Sequence, residues 1–382
     1  MLCQRWPGGR VVMQRIANPS MPVRFRPRPP LFFIMISVLT FSNFRNHSAS
    51  RIKTSDAKNI VVTGPNGSGK TSILEAVSIM SASGTLRGGA PAELVQIGAN
   101  DFGVVAELDN ETNISVSWTN GDARRRVMID GDAVPLSDLA RHLRIIWITP
   151  REDRLFVETA SDRRAFFDRL VAGFDPAHSG RTARLSKLLS ERTFALKSRA
   201  DNNWIAGLDA QIASAATAIA AARVTYAGEI NYFLENYAIS ISGWLEQNMS
   251  ANTEREYAEY LAANRFLVAD KMNIDGAHRT DFGMFNAALD MPVAMTSTGQ
   301  QKSALLALSI AHAKLIRAKT GKSPIILLDE VAAHLDKNAR THLFMELGKA
   351  DAQVWMTGIE PESFIGVPNA IFIGCTAGTI QQ

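Results

Sequence analysis

Eight consecutive residues early in the chain have the types and spacing of a phosphate-binding loop. An apolar run, 59–63, precedes them and a helical pattern, 72–77, follows. Glycines allow consecutive backbone N–H groups to surround a β-phosphate, Lys70 reaches the β- and γ-phosphates, and the Thr71 hydroxyl can ligate Mg²⁺. A chance Gly-rich turn is the alternative, but the flanking strand and helix favour a site for a nucleoside triphosphate and Mg²⁺. The loop consists of Gly64, Pro65, Asn66, Gly67, Ser68, Gly69, Lys70 and Thr71.

A second group of candidate residues ends an apolar run far downstream. Residues 324–330 read Pro-Ile-Ile-Leu-Leu-Asp-Glu. Parallel strands are continuously apolar because both sheet faces are covered, and α/β sheets bind ligands at the carboxyl ends of their strands. We therefore predict that Asp329 holds Mg²⁺ and that Glu330 activates water, while Lys70 stabilises the developing charge. The alternative is that the two acids only cap the strand.

A third motif lies between these two. Residues 296–302 read Thr-Ser-Thr-Gly-Gln-Gln-Lys and precede a helix predicted over 303–317. An ordinary helix N-cap has the same appearance, but this one stands 32 residues before Asp329. The segment resembles the signature of ABC-type ATPases, Leu-Ser-Gly-Gly-Gln, of which the chain retains Ser297, Gly299 and Gln300.

The resemblance to ABC-type ATPases implies a dimer. In that family the signature of one subunit contacts the γ-phosphate held by the phosphate loop of another. A D-loop after the acidic strand carries part of the dimer contact, and Leu335-Asp336 resembles it. The resemblance therefore implies an ATPase head that forms an ATP-dependent homodimer, with Ser297, Gly299, Gln300 and Asp336 close to the nucleotide.

The interval between the motifs distinguishes the branches of this family. Thr71 and Ser297 are 226 residues apart. A transporter subunit is expected to use a shorter interval, whereas cohesin-like and Rad50-like proteins insert long coiled coils there. The intermediate interval is similar to that of the compact RecF family. Residues 355–358 stand where transporter ATPases have a switch histidine, and this chain has none there.

Two short segments strengthen the resemblance to the RecF family. Residues 41–46 resemble its opening strand and turn, and the resemblance implies that Arg45 and Asn46 lie close to the nucleotide. Residues 276–281 resemble its motif Gly-Pro-His-Arg-x-Asp, with Ala277 in place of Pro. Membership would imply binding of duplex DNA near single-strand gaps, cooperation with RecR and RecO in loading RecA, and weak ATP hydrolysis that times release.

A third segment, 150–168, resembles the RecF motif Pro-Glu-Asp, Gly-x-Pro and Arg-Arg-x-Phe-Leu-Asp. It departs from that motif at Arg151, Glu158 and Ala160. Its Arg163-Arg164 pair and the cluster Arg124–Arg126 are dense enough in charge to contact DNA phosphates. The alternatives are solvated surfaces or, for the pair, internal carboxylate partners such as Asp168.

Periodicity predicts an α/β fold with an antiparallel sheet and an inserted helical lobe, and the resemblance implies an ABC-type head with a mixed sheet around the phosphate-loop helix. Residues 35–160 would form the first part of the ATPase lobe, 161–263 the helical lobe, and 264–382 the second part of the ATPase lobe. Alternating segments at 104–108 and 114–118 should pair antiparallel, with turns near Gly121 and Gly131.

Residues 1–34 differ in composition from the rest. They hold six arginines and no acid, so removing them from the net charge of +4 leaves about −2 for residues 35 onward. We expect a disordered basic extension preceding a start at Met35, with a DNA-binding arm or a targeting sequence as alternatives. The apolar run 31–41 is too short to span a bilayer.

The remaining composition predicts a cytoplasmic protein of two lobes. The two cysteines, Cys3 and Cys375, form no Cys-x-x-Cys motif and give no sign of an oxidising compartment. Two other classes stay open. A transporter ATPase would require a membrane partner, and a nuclease of the overcoming-lysogenization type would require a metal-binding domain for which the 52 residues after Glu330 are too few.

Overall fold

The computed structural model describes residues 2–5, 11–14, 34–55, 57–82, 84–265, 274–332 and 337–382. The strands are β1 (Leu2–Arg5), β2 (Val11–Gln14), β3 (Ile36–Phe44), β4 (His47–Lys53), β5 (Asn59–Thr63), β6 (Asp101–Leu108), β7 (Asn113–Thr119), β8 (Arg126–Ile129), β9 (Asp132–Ala133), β10 (Ile145–Ile148), β11 (Tyr237–Ser242), β12 (Asp281–Asn286), β13 (Met291–Pro292), β14 (Ile325–Leu328), β15 (Gln353–Gly358), β16 (Ala370–Thr376) and β17 (Thr379–Gln381). The helices are α1 (Lys70–Ser78), α2 (Leu139–His142), α3 (Ala160–Phe174), α4 (His178–Lys197), α5 (Asn202–Ile230), α6 (Trp244–Gln247), α7 (Thr253–Ala263), α8 (Thr298–Thr320) and α9 (Lys337–Gly348).

The phosphate loop follows a central strand of a six-stranded sheet ordered β10-β14-β15-β5-β16-β17, in which only β17 runs antiparallel. Strands β5, β10, β14 and β15 are buried along their whole length because apolar clusters cover both faces of the sheet. Gly358 pairs with Thr63 and Met356 pairs with Leu328, so these strands end at one edge. The predicted α/β fold with continuously apolar parallel strands is confirmed.

A second sheet, ordered β4-β3-β6-β7-β8-β9, is antiparallel and packs on the face of the parallel sheet that carries α1. Its strand β6 alternates exposed and buried residues, as expected of a sheet with one face on the core. The predicted pairing of 104–108 with 114–118 is present, because Val104 lies opposite Val116. The predicted turn at Asp130-Gly131 joins β8 to β9.

The segment predicted to be helical over 161–263 contains α3, α4, α5, α6 and α7, but it is not helical throughout. Strand β11 interrupts it and pairs antiparallel with β12 in a three-stranded sheet. Its sequence, Tyr-Ala-Ile-Ser-Ile-Ser, alternates with a period of two, which a strand requires. Asn231 fixes the strand, since its side chain both donates to the Ile239 carbonyl and accepts from the Ile239 N–H.

Helix α5 is the one described helix that is long and apolar enough to cross a membrane by length and composition alone. Its apolar positions pack inside a separate hydrophobic cluster formed with α4, α6 and α7. Small residues let the helices approach closely, and Ala213, Ala216 and Ala220 are fully buried there. The apolar surface of α5 is therefore used for packing between helices.

Within the amino-terminal 33 residues, the structure describes only the strands β1 and β2, which pair antiparallel. This hairpin is more local structure than the predicted disorder of residues 1–34. The rest of that prediction, including the character of the arginine-rich segment 15–33, lies outside the described residues.

Candidate nucleotide-binding site

The loop Gly64–Thr71 connects β5 to α1 and depends on two glycines for its shape. Gly69 has a φ of 110°, and a Cβ there would lie 2.6 Å from side-chain nitrogens of both Asn46 and His47. Gly64 has a φ of 153°, and a Cβ there would lie 2.0 Å from the Cys375 carbonyl oxygen. Larger residues at either position would therefore displace the loop. Its tip, Pro65 to Gly67, is exposed.

Lys70 is buried at the base of this loop. Its side-chain Nζ donates to the carbonyl oxygens of Gly64, at 2.8 Å, and of Pro65, at 2.7 Å. An ammonium group has three N–H donors, so one is left over from these two bonds. Lys70 thus stands at the start of α1, where the helix dipole also favours an anion.

Two oxygen atoms from distant parts of the chain meet beside Lys70. The Thr71 hydroxyl donates to Asp329 Oδ1 at 3.1 Å, although the two residues are 258 positions apart. Asp329 is buried and follows β14 directly. Hydroxyl and carboxylate oxygens are ligands that Mg²⁺ prefers, so this pair fits such an ion. The structure therefore brings together the two residues predicted as its ligands.

Thr357 completes this arrangement. Its hydroxyl donates to the same Asp329 Oδ1 at 2.6 Å and accepts the backbone N–H of Glu330 at 2.8 Å. Thr357 belongs to β15 and lies in the segment 355–358, which was compared above with the switch histidine of transporter ATPases. One hydroxyl therefore holds both neighbouring acidic residues of the strand end.

Glu330 has an unusual backbone for its residue type, with a φ of 51°. The left-handed region disfavours side chains with a Cβ. Its carbonyl oxygen accepts from Lys302 Nζ at 3.3 Å, while its N–H is bound to Thr357. The backbone N–H and carbonyl of Glu330 are thus held by other elements, and the residue lines the cleft described next.

A cleft of about 610 Å³ adjoins these residues and is lined by Thr71, Asp329 and Glu330 together with the segments 84–88 and 147–152. Arg169 shapes its wall, because it donates to Glu152 Oε1 at 3.1 Å and lies over the Trp147 ring at 4.6 Å. The described lining includes none of residues 297–300. Within one chain, the predicted signature residues are therefore not part of this cleft.

Arg45 and Asn46 form the two-residue turn between β3 and β4, as the pairing of Phe44 with His47 shows. Asn46 Nδ2 donates to the Ser68 carbonyl at 3.2 Å, which places it against the phosphate loop. Arg45 instead binds the buried Glu75 of α1 through Nε and Nη2, at 2.8 and 2.7 Å. This bond is the main reason that the pKa of Arg45 is raised.

The signature segment heads α8 and is exposed. Ser297 is the N-cap, its hydroxyl accepting from the Gln300 N–H while the Gln300 side chain accepts from the Ser297 N–H. This capping box starts the helix at Thr298, five residues before the predicted start, and the helix continues to Thr320. Ser297 and Gln300 are exposed and Gly299 is partly exposed, as a surface that meets a second molecule requires. The remaining predicted nucleotide contact, Asp336, lies outside the described residues.

The two arginine clusters differ in how they are bound. Arg163 forms a two-point contact with Asp281, at 2.8 and 2.6 Å, and Arg164 donates to the Thr280 carbonyl at 2.9 Å. These contacts favour the internal alternative, although the carboxylate of Arg163 is Asp281 and not the Asp168 suggested from the sequence. Of the other cluster, Arg124 and Arg126 are exposed.

Two residues near the site were missed in the sequence. The sequence alone gives Thr357 no role in the site, although a hydroxyl near the end of an apolar run is a usable signal. Lys302 lies in the segment 296–302, but its spacing gave no indication that its side chain turns inward. Its contacts with Asp153 and the Glu330 carbonyl depend on how the helix packs, which a single sequence does not reveal.

Three features define an ABC-type ATPase head. They are the order of the strands in the parallel sheet, the contact between the phosphate loop and the acidic strand end, and the exposed capped start of the signature helix. A family model described as RecF/RecN/SMC N terminal domain matches residues 35–378. The chain is 36% identical over 352 residues to the DNA replication and repair protein RecF of Rhizobium rhizogenes, covering 87% of this chain and 94% of that protein. The corresponding protein of Agrobacterium fabrum is 34% identical over 353 residues, with the same coverage. The chain belongs to the RecF family.

Solved structures agree on the fold. One titled as the recombination mediator protein RecF-ATPrS in the RecFOR pathway matches with a TM-score of 0.76 at 20% identity, covering 93% of this chain and 98% of that one. An SMC head bound to the C-winged helix domain of ScpA matches with a TM-score of 0.51 at 15% identity, covering 91% and 96%. The predicted mixed α/β head with inserted helices is thus confirmed as a RecF and SMC type of fold.

Proposed function

We propose that this chain is an ATP-driven DNA clamp that serves DNA repair and replication. The observation that carries the proposal is the contact between the Thr71 hydroxyl and Asp329 Oδ1 at 3.1 Å, which unites the phosphate loop with the acidic strand. The name of the curated relatives, DNA replication and repair protein, supports the biological role. The RecF-ATP structure in the RecFOR pathway supports ATP as the nucleotide.

Nucleotide binding would use the groups already described. The N–H groups of the loop and the Lys70 ammonium bind the β- and γ-phosphates. Asn46 stabilises the loop by donating to the Ser68 carbonyl. Thr71 and Asp329 would hold Mg²⁺, which neutralises phosphate charge when it is bound. Glu330 orients or deprotonates water, and Lys70 stabilises charge on the γ-phosphate.

Dimer closure explains why the signature turn is outside the cleft of its own chain. In the proposed clamp, Ser297, Gly299 and Gln300 of one subunit cover the γ-phosphate bound by the other subunit. The nucleotide then bridges two copies, so its binding favours the closed dimer and loss of the γ-phosphate releases it. A monomer should bind ATP and hydrolyse it poorly.

The more specific role proposed for this chain is based on the RecFOR pathway, to which the solved RecF structure is assigned. We propose that the closed dimer binds duplex DNA near single-strand gaps in the cytoplasm and cooperates with RecO and RecR in placing RecA there. The exposed Arg124 and Arg126 are candidate phosphate contacts of this surface. Hydrolysis would time release from DNA. In this clamp, residues 35–160 and 264–382 would form the two parts of the ATPase lobe and residues 161–263 the helical lobe.

The test is fluorescence anisotropy of a labelled gapped duplex titrated with the Glu330→Gln variant, with and without Mg·ATP. We expect ATP to tighten binding at least tenfold, which corresponds to about 1.4 kcal/mol of coupling. The matched control is Lys70→Met, which should show no ATP effect. Comparing the full chain with residues 35–382 separates the contribution of the arginine-rich extension. Equal affinity with and without ATP would contradict the clamp.

A further inference from the structure

Lys302 is a buried cation on the signature helix. It lies one turn after the Ser297 capping box, and only 6% of the residue is exposed. Its Nζ donates to Asp153 Oδ2 and to the Glu330 carbonyl oxygen, both at 3.3 Å. An ammonium group is costly to remove from water, so its burial requires such partners.

The contact with Glu330 falls on a backbone position that the chain does not adopt easily. Glu330 has a φ of 51°, and this left-handed conformation is energetically unfavourable for a residue with a Cβ. Lys302 donates to the carbonyl oxygen of Glu330, and the Glu330 N–H donates to the Thr357 hydroxyl. The two contacts together restrict the direction in which the Glu330 carboxylate leaves the chain.

We propose that Lys302 is a positioning residue that couples the signature turn, 297–300, to the catalytic carboxylate of the same subunit. This inference rests on the proposed function. In the clamp, the signature turn contacts the nucleotide of the partner site, whereas Glu330 acts on the nucleotide of its own site. Lys302 therefore connects the two nucleotides of the dimer through one helix turn.

Asp153 is the second partner of Lys302, and the turn that contains it is held in place by hydrogen bonds. It lies in the short turn Glu152–Arg154, which packs against α8. Its neighbour Glu152 accepts from the Thr149 N–H and hydroxyl, at 2.9 and 2.6 Å, and from Arg169. A shift of the first turn of α8 would consequently move Lys302 between the anchored Asp153 and the backbone of Glu330.

The experiment compares the full chain with Lys302→Met, which keeps an unbranched apolar side chain, and with Lys302→Arg, which keeps the charge. Lys314→Met is the matched control, because it removes a partly exposed cation from the same helix. The measurements are the dissociation constant of a fluorescent non-hydrolysable ATP analogue, the ATP-dependent dimerisation, and the rate constant of single-turnover hydrolysis as a function of ATP concentration.

We expect Lys302→Met to lower the single-turnover rate constant at least tenfold while the dissociation constant changes less than twofold. Its ATP dependence should lose cooperativity, with a Hill coefficient near 1. Lys302→Arg should recover part of the rate, and Lys314→Met should match the wild type. A merely structural role predicts instead that nucleotide affinity and thermal stability fall together with the rate.

A second readout does not require turnover. In native-state hydrogen exchange, the amide of Glu330 should exchange at least tenfold faster in Lys302→Met than in the wild type, since the contact that holds the carbonyl of the same residue is gone. An unchanged rate constant together with unchanged exchange would overturn the role of Lys302. Failure of the wild-type protein to dimerise with ATP would overturn the proposed clamp instead, so the two failures are distinguishable.

Discussion

The nucleotide cleft and the helical lobe both bury charged residues, but they surround them differently. At the nucleotide site, the Lys70 ammonium is bound by two main-chain carbonyls, and the Asp329 carboxylate is bound by two hydroxyls. In the lobe, Arg223 is held by Asp168 and Glu246, and Arg192 by Asp209. Neutral dipoles leave the formal charge available to phosphate or metal, whereas a carboxylate cancels it.

This difference separates charged residues that can bind a ligand from charged residues that stabilise the fold. Burial alone raises the pKa of Asp168, but the bonds from His178 and Arg223 outweigh it and lower that pKa below its ordinary value. The Arg223 side chain is 2% exposed, so its pairing is protected from solvent. Dense charge in the lobe is therefore evidence of packing, and it does not identify a DNA-binding surface.

The largest effect should come from breaking the lobe network. Arg223→Met leaves Asp168 and Glu246 buried without their shared partner, and we expect a loss of about 3–5 kcal/mol in the free energy of unfolding. Urea denaturation measures it. Arg151→Met is the control, because its contact with Asp162 at 3.6 Å is exposed and should contribute little to stability. Similar losses in the two variants would contradict the distinction.

The opposite pattern is expected for Lys70→Met in the cleft. Nucleotide affinity should fall at least a hundredfold, about 2.7 kcal/mol, because the cation that meets the phosphates is gone. The free energy of unfolding should stay the same or rise, since no buried carboxylate is left unpaired. Titration with a fluorescent ATP analogue and urea denaturation measure the two quantities. A large loss of stability would show that Lys70 has a structural partner.

A smaller effect should follow Thr357→Val, which keeps the shape and removes the hydroxyl. Asp329 then loses its bond at 2.6 Å and the Glu330 N–H loses its acceptor. We expect about a tenfold slower hydrolysis, equivalent to about 1.4 kcal/mol. Thr357→Ser keeps the hydroxyl and should retain most of the rate. Equal rates of ATP hydrolysis in the Thr357→Val and Thr357→Ser variants would contradict a role for the Thr357 hydroxyl in the site.

The smallest effect concerns pH. Burial, with Arg144 and Arg169 nearby, lowers the pKa of His312 to about 3, and its Nδ1 is bonded to the Tyr226 hydroxyl at 2.8 Å. As pH falls below about 6.5, the unfolded chain takes up a proton first. The stability contribution is therefore present above that pH and declines below it, by about 1 kcal/mol between pH 7.5 and 6.

His312→Gln removes this titration and keeps an acceptor for Tyr226. The difference in unfolding free energy between wild type and variant should therefore narrow or reverse in favour of the variant as the pH falls from 7.5 to 6. Urea denaturation at both values checks it. A difference that does not change with pH would mean that His312 is protonated, or neutral, equally in both states.

Much of the site was readable from local patterns. The loop Gly64–Thr71 has a strict order of residue types because consecutive N–H groups must converge on one phosphate, and β5 and β14 have continuous apolar runs because both faces are covered. The sequence predicts the helix after Ser297 only from residue 303, whereas the capping box starts it at Thr298. Strand β11 was missed because helical periodicity on both sides dominated the pattern.

By itself, the sequence determined the kind of site, since the phosphate loop, the acidic strand end and the signature turn each depend on neighbouring residues and their order. Only the tertiary structure decided which distant groups meet. The contacts of Asp329 with Thr71 and Thr357, of Lys302 with Glu330, and of Arg163 with Asp281 join elements far apart in the chain. Strand order, register and burial set such contacts, and none of these is encoded in the spacing of a single motif.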